Sequence, residues 1–253
     1  MKWLALLLVS LAAAGAQSIQ LSDAQALEIG RRIWKNECAG TVDGLTSWNG
    51  GEAFASLGIG HFIWYPTARK GIYEESFPKL VVYFQQRGVK LPSWLTPDAL
   101  CPWPNRAAFQ KDFQSPQMRA LRELLARTVP LQAEFAALRL EAALPKMLQR
   151  APAGEREKIR KNFYRVAAEP LGLYALMDYV NFKGEGTSPE ERYRGQGWGL
   201  LQVLEGMGNG PALKEFAASA DRALTRRVGN APPERKEARW LPGWRNRLKT
   251  YVD

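Results

Sequence analysis

The stretch SDAQALEIGRRIWKNECAG, residues 22–40, is where the fold of this chain is first legible. Ser22 and Gln25 stand at the spacing of a capping box, in which each side chain satisfies a backbone donor that the helix start leaves free. Ala26, Ile29 and Ile33, with Leu27, Trp34 and Cys38 beside them, then recur at helical spacing. The pattern predicts a helix over 23–38, with Gly40 placed to stop it. Glu37 lies one turn after Ile33, on the stripe shared with Ala26 and Gly30. A carboxyl group therefore leaves an apolar stripe at the helix C-terminus. Desolvation and the negative end of the helix dipole both oppose its ionisation, which predicts a glutamate that stays protonated near neutral pH and can donate a proton. The plainer alternative is a solvated glutamate at a helix end.

Beyond Gly40 the apolar period shortens between residues 45 and 62, and Asn49-Gly50 offers the positive-φ pair of a tight hairpin turn. This is the one β segment the sequence predicts. The turn would set Glu52 at the start of the returning strand, with Glu52, Phe54 and Ser56 on one face by the two-residue period. Ser56-Leu57-Gly58-Ile59-Gly60-His61 follows, its glycines allowing backbone or ligand to approach closely. A Ser56/His61/Asp43 triad is disfavoured, because Ser56 has no nucleophile-elbow setting and His61 is the only histidine.

The ends and the middle bound the class. Met1-Lys2-Trp3, an apolar run over 4–14 and the small residues Ala14-Gly15-Ala16 read as a secretory leader over 1–16, cut near Ala16. The expectation is a secreted or periplasmic bacterial protein without a membrane span. The formal charge of +10, to which the leader contributes only Lys2, favours polyanionic surroundings. For an exported chain these are an anionic cell envelope rather than nucleic acid. Cys38 and Cys101 are the only cysteines, and an exported chain can oxidise them to one disulfide. With His61 they are too few for a structural zinc site, so neither metal nor cofactor is expected. The segment 77–103, rich in proline and tryptophan, reads as an irregular connection. Pro116 and Pro130 mark helix starts, further helices are predicted near 155–168, 171–182, 197–207 and 211–227, and 151–154 reads as an exposed turn.

A helix ending in Glu37, a hairpin, then Ser56-Leu57-Gly58-Ile59-Gly60-His61 resembles the catalytic segment of phage-type lysozymes, members of the lysozyme-like superfamily. Asn181-Phe182-Lys183-Gly184-Glu185-Gly186 with Gly199-Leu200-Leu201-Gln202 is similar to the helix and turn that line the cleft in that family. The segment 227–235, followed by Trp240 and Gly243-Trp244-Arg245-Asn246-Arg247, is similar to its closing Arg-rich helix. Thr46 and Gly50 do not supply the family's second acid, and Ser56 stands where it carries threonine. The segment 72–168 has no counterpart.

The resemblance implies an α+β, mainly α fold, lysozyme-like, with a small β-hairpin lobe and a larger helical lobe. One catalytic domain would cover 17–253, with the hairpin lobe and irregular connection in 17–104 and the helical lobe in 105–253. It implies a monomeric glycosidase in which Glu37 protonates the leaving oxygen of a cell-wall amino-sugar polymer. Peptidoglycan is the leading substrate; chitosan and chitin come next. Glu52, with Asp43 as the alternative, would be the second carboxylate, and Ser56 would hold the attacking water. Substrate-binding candidates are His61, Trp64, Tyr65, Asn181, Lys183, Glu185 and Gln202. A lytic transglycosylase, a chitosanase and a catalytically silent envelope-binding protein of the same fold are the alternatives.

Overall fold

Ser22 caps the first helix as its sequence requires. Its hydroxyl accepts from the Gln25 backbone while the Gln25 side chain accepts from the Ser22 N–H at 3.0 Å, and α1 runs Asp23–Cys38. The helix ends on two consecutive left-handed residues, Ala39 and Gly40, so the reversal begins one position before the glycine. The structure is a computed structural model that describes residues 19–66, 71 and 73–253. The leader over 1–16 lies outside the described residues.

A three-stranded antiparallel sheet follows: β1 (Thr46–Ser47), β2 (Ala55–Leu57) and β3 (Phe62–Trp64), with β2 central. Asn49-Gly50 does not make the expected two-residue turn. Ser47 pairs with Ser56, so a longer loop joins β1 to β2. Gly51, not Asn49 or Gly50, takes the positive φ, at 87°, in a turn closed by the Glu52 N–H on the Asn49 carbonyl. A second small hairpin, β4 (Arg192–Tyr193) with β5 (Gln196–Gly197), escaped the sequence reading. Its two-residue loop Arg194-Gly195 carries both positive φ angles that a type I′ turn needs.

Most of the rest is helical. Of the segment expected to be irregular, 77–86 instead forms α2 (Phe77–Gln86), with Phe77, Leu80, Val81 and Phe84 buried along one stripe, while 87–103 is irregular as expected. It is followed by α3 (Arg106–Lys111), α4 (Pro116–Arg127), α5 (Val129–Arg150), α6 (Arg156–Ala167) and α7 (Gly172–Lys183). Past β5 come α8 (Leu200–Gly206), α9 (Ala212–Asn230) and α10 (Leu241–Lys249). The protein is thus α+β and mainly α, with a small antiparallel sheet.

Buried side chains from α1, the sheet and α2 through α10 join in one cluster extending to Tyr251. α1 packs chiefly on α5, where Gly30 lets the helices approach: a Cβ there would lie 2.6 Å from Val129 Cγ1. Of the turn expected at 151–154, Ala151 is buried and the next three residues are exposed. Cys38 and Cys101 are both free and make separate contacts, so the disulfide is not formed. Cys38 Sγ faces the Gly58 carbonyl, and Cys101 Sγ faces that of Trp103. Burial pushes both thiols up, to about 12 and about 11 respectively. Among the described residues no helix is long and apolar enough to cross a membrane.

Candidate active site

The loop between β2 and β3 is aimed by a glutamine on α5. Gln132 is fully buried; its Oε1 accepts from the Ile59 N–H at 2.9 Å, and its Nε2 donates to the Leu125 carbonyl at 2.7 Å. Gly58 has φ 71°, and a Cβ there would sit 2.3 Å from Gln132 Oε1, so only glycine fits. This fixes His61, itself at φ 45°, with Nδ1 3.2 Å from Glu37 Oε2.

Glu37 sits where four elements meet, its side chain 11% exposed. From α10, Arg247 Nη2 donates to Glu37 Oε1, and from α7 the Asn181 amide is directed at the same carboxyl. Asn181 Nδ2 is buried and, among the described residues, meets no acceptor at full hydrogen-bonding geometry. Burial is the largest single influence on Glu37 and raises its pKa. The charges of Arg247 and His61, with the Arg247 hydrogen bond, outweigh it and hold the carboxyl below its ordinary value. The expectation of a resting protonated acid is therefore corrected: in the free protein Glu37 is an ionised partner of Arg247.

Arg247 is anchored independently of Glu37. Its Nε and Nη2 donate to Asp178 at 2.7 and 2.8 Å, and Asp178, whose side chain is fully buried, also accepts from Tyr251 at 2.6 Å and Asn36 at 3.1 Å. The Arg247 guanidinium also lies 4.2 Å above the Phe182 ring. Asp178 and Tyr251 were not legible as site residues. Arg247 stood within the matched C-terminal pattern, but nothing in the sequence tied it to a residue 210 positions away.

Lys183 is buried beside this network, its Nζ 3.9 Å from the Phe182 ring centre and 3.6 Å from that of Trp244. The ring faces favour the ammonium. Burial, then Arg227 and Arg247, oppose it and bring the pKa down to about 6. Between pH 6 and 10 the folded protein has released this proton while the unfolded chain keeps it, so Lys183 makes stability rise with pH. In Lys183→Met the ring contacts remain and the proton is gone. The rise in Tm between pH 6 and 9 should be smaller for the variant than for wild type in thermal unfolding; equal slopes would remove the buried amine from this role.

The other sequence candidates lie elsewhere. Glu52 is in the β1–β2 loop rather than on the returning strand, where its carboxylate accepts from Asn49 Nδ2 at 3.1 Å; it is not among the groups that contact Glu37. Asp43 is exposed and pairs with Arg122 at 3.4 Å. Ser56 is buried in the central strand, and the side-chain partners of Glu37 are Arg247 and His61 rather than Ser56. Trp64 belongs to the core, packed on Phe77 and Trp103. Tyr65 is 7% exposed, edge-on to Phe54, and its hydroxyl accepts from the Tyr73 N–H. Gln202 staples a turn, accepting from Gly199 N–H at 3.0 Å and donating to the Gly186 carbonyl at 3.1 Å. Glu185 pairs with Lys146 at 3.4 Å. Of the predicted set, then, His61, Asn181 and Lys183 gather near Glu37.

Comparison with protein-family models, with curated proteins and with solved structures gave no match for this chain.

Proposed function

We propose that the protein cleaves the glycosidic bonds of a cell-wall amino-sugar polymer, peptidoglycan foremost, with Glu37 as the proton donor. The observation that carries this reading is the state of Glu37: a desolvated carboxyl, reachable at its 11% exposed edge, kept ionised by one arginine that has a second carboxylate to hold it. A substrate oxygen that takes the place of Arg247 at Oε1 leaves burial as the dominant influence. Burial favours the protonated acid. Arg247 keeps both bonds to Asp178 when it lets go, so separating it from Glu37 strands no charge. His61, 3.2 Å from the other oxygen, can pass a proton to Glu37.

A second reading, transglycosylation within the same polymer, is favoured by the carboxylates. Inverting or retaining hydrolysis uses a second carboxylate within about 5–10 Å of the acid. The two acids that the sequence offers as partners, Glu52 and Asp43, are engaged elsewhere, and Asp178 is fully buried in its own bonds. A single acid and base is enough when the substrate's own hydroxyl attacks. The masses of products from purified peptidoglycan decide between the two: hydrolysis adds water to each cleaved chain, whereas intramolecular attack gives anhydro ends. Digestion without any new chain ends would overturn both.

A further inference from the structure

We infer that a second binding site, for a carboxylate carried beside a small apolar group, lies on α5 in a cleft centred on Arg139. Phe135, Arg139, Ala142 and Lys146 recur at the helical repeat and present one face of α5 to this cleft of about 200 Å³. Lys79 on the first turn of α2 and Glu74 in the segment before it close one side, and Glu185 closes it from the loop after α7. Glu37 is not part of it, and the inference stands whether or not Glu37 cleaves anything.

The pairing inside the cleft leaves one cation over. Lys79 takes Glu74, and Lys146 takes Glu185 at 3.4 Å, with the Thr187 hydroxyl on the other oxygen of Glu185 at 3.5 Å. Arg139, among the described residues, has neither a hydrogen bond nor an ion pair. A guanidinium with its fork unfilled and its water partly stripped has its best partner in a planar oxyanion, which it binds through two parallel N–H donors. Burial holds Arg139 below its ordinary pKa while Glu74 and Glu185 support its charge at a distance, the condition of a cation awaiting a closer anion.

The surroundings select among anions. Three cations face two carboxylates, so a single negative charge neutralises the cleft, while a phosphate dianion would meet Glu74 and Glu185 with a charge in excess. Phe135 and Ala142 give an apolar floor and Leu138, 47% exposed, an apolar rim, which suits a methyl or short alkyl group next to the carboxylate. The volume falls below the roughly 300–1,000 Å³ of pockets for drug-sized ligands, so the occupant is small or is the end of a longer chain.

The test is calorimetric titration of the intact protein with N-acetylalanine, its amide, and inorganic phosphate. N-acetylalanine should bind saturably, with Kd on the order of millimolar as expected for so small a ligand. Arg139→Gln should weaken it about tenfold or more, and Arg139→Lys, which keeps the charge and loses the fork, should fall between. The amide should not bind. Undiminished binding to an Arg139→Gln protein of normal circular dichroism overturns the site, as does no binding by wild type at tens of millimolar. Equal affinity for the amide, or tighter binding of phosphate, overturns the carboxylate assignment. Should Arg139→Gln fail to fold, Arg139→Lys and the amide comparison decide the question.

Discussion

Replacing Glu37 with glutamine is expected to lower cleavage of an amino-sugar polymer by on the order of a hundredfold or more, the usual scale of lost general-acid catalysis, while the fold survives. Glutamine keeps the shape, and its amide oxygen can still accept from Arg247, which also retains both bonds to Asp178. The loss should appear in kcat more than in KM, because proton donation matters in the transition state. The pH profile carries the same argument with a definite sign. Arg247 and His61 hold the free carboxyl below its ordinary value, so kcat/KM should rise as pH falls below neutral and more molecules carry the proton. In folding, the ionised Glu37 contributes stability above the carboxylate's unfolded pKa, and that contribution is lost as pH falls through the lower folded value. Below the unfolded carboxylate pKa, activity and stability should therefore move in opposite directions. A Glu37→Gln protein with near-normal cleavage would take Glu37 out of the mechanism.

Asp178→Ala should produce the largest loss of stability among single changes at the site. The carboxylate receives two bonds from Arg247, one from Tyr251 and one from Asn36, all converging on a side chain that water does not reach. Its removal leaves a guanidinium, 12% exposed, with Glu37 as its only counter-charge, and leaves the Tyr251 hydroxyl without its acceptor in the core. Breaking a buried pair from one side costs about 3–5 kcal/mol, which for a chain of this size is a fall in Tm on the order of 10 °C. Tyr251→Phe removes one hydrogen bond without leaving a charge and should cost about 1 kcal/mol. Thermal unfolding of the two variants side by side reads the difference. Equal, small losses would show that Arg247 finds water when Asp178 is gone and that the network is less enclosed than its geometry indicates.

The two expectations are coupled through Arg247. Asp178 is a positioning residue: it orients the guanidinium so that Nη2 meets Glu37, and it retains that guanidinium when substrate arrives. Glu37 without Asp178 would face an arginine free to follow it, so Asp178→Ala should also shift the pH profile of any residual cleavage, which a purely structural role would leave in place.

Local chemistry carried most of what could be read before the fold was known. The capping box at Ser22, the stop after Cys38, the prolines opening α4 and α5 and the apolar repeats of α6, α7 and α9 concern residues within a turn or two of one another, where helix geometry makes spacing informative. The glycine loop before His61 was legible for the same reason, as was the place of Glu37 at the end of its helix. The reading failed where composition stood in for periodicity, in α2, and where Asn49-Gly50 was given a tight turn that Arg194-Gly195 makes instead. Trp64, a substrate-binding candidate in the sequence, is claimed by Phe77 and Trp103, which only the packing of β3 on α2 and on the segment before α3 brings to it. The charge on Glu37 lay beyond any local pattern. Burial alone argues for a neutral acid, and the sequence shows the apolar stripe; what reverses the sign is a guanidinium from the last helix, positioned by a buried aspartate on α7. Electrostatic energy depends on separation in space and on the dielectric between charges, and both were set when α1, α7 and α10 closed on one another.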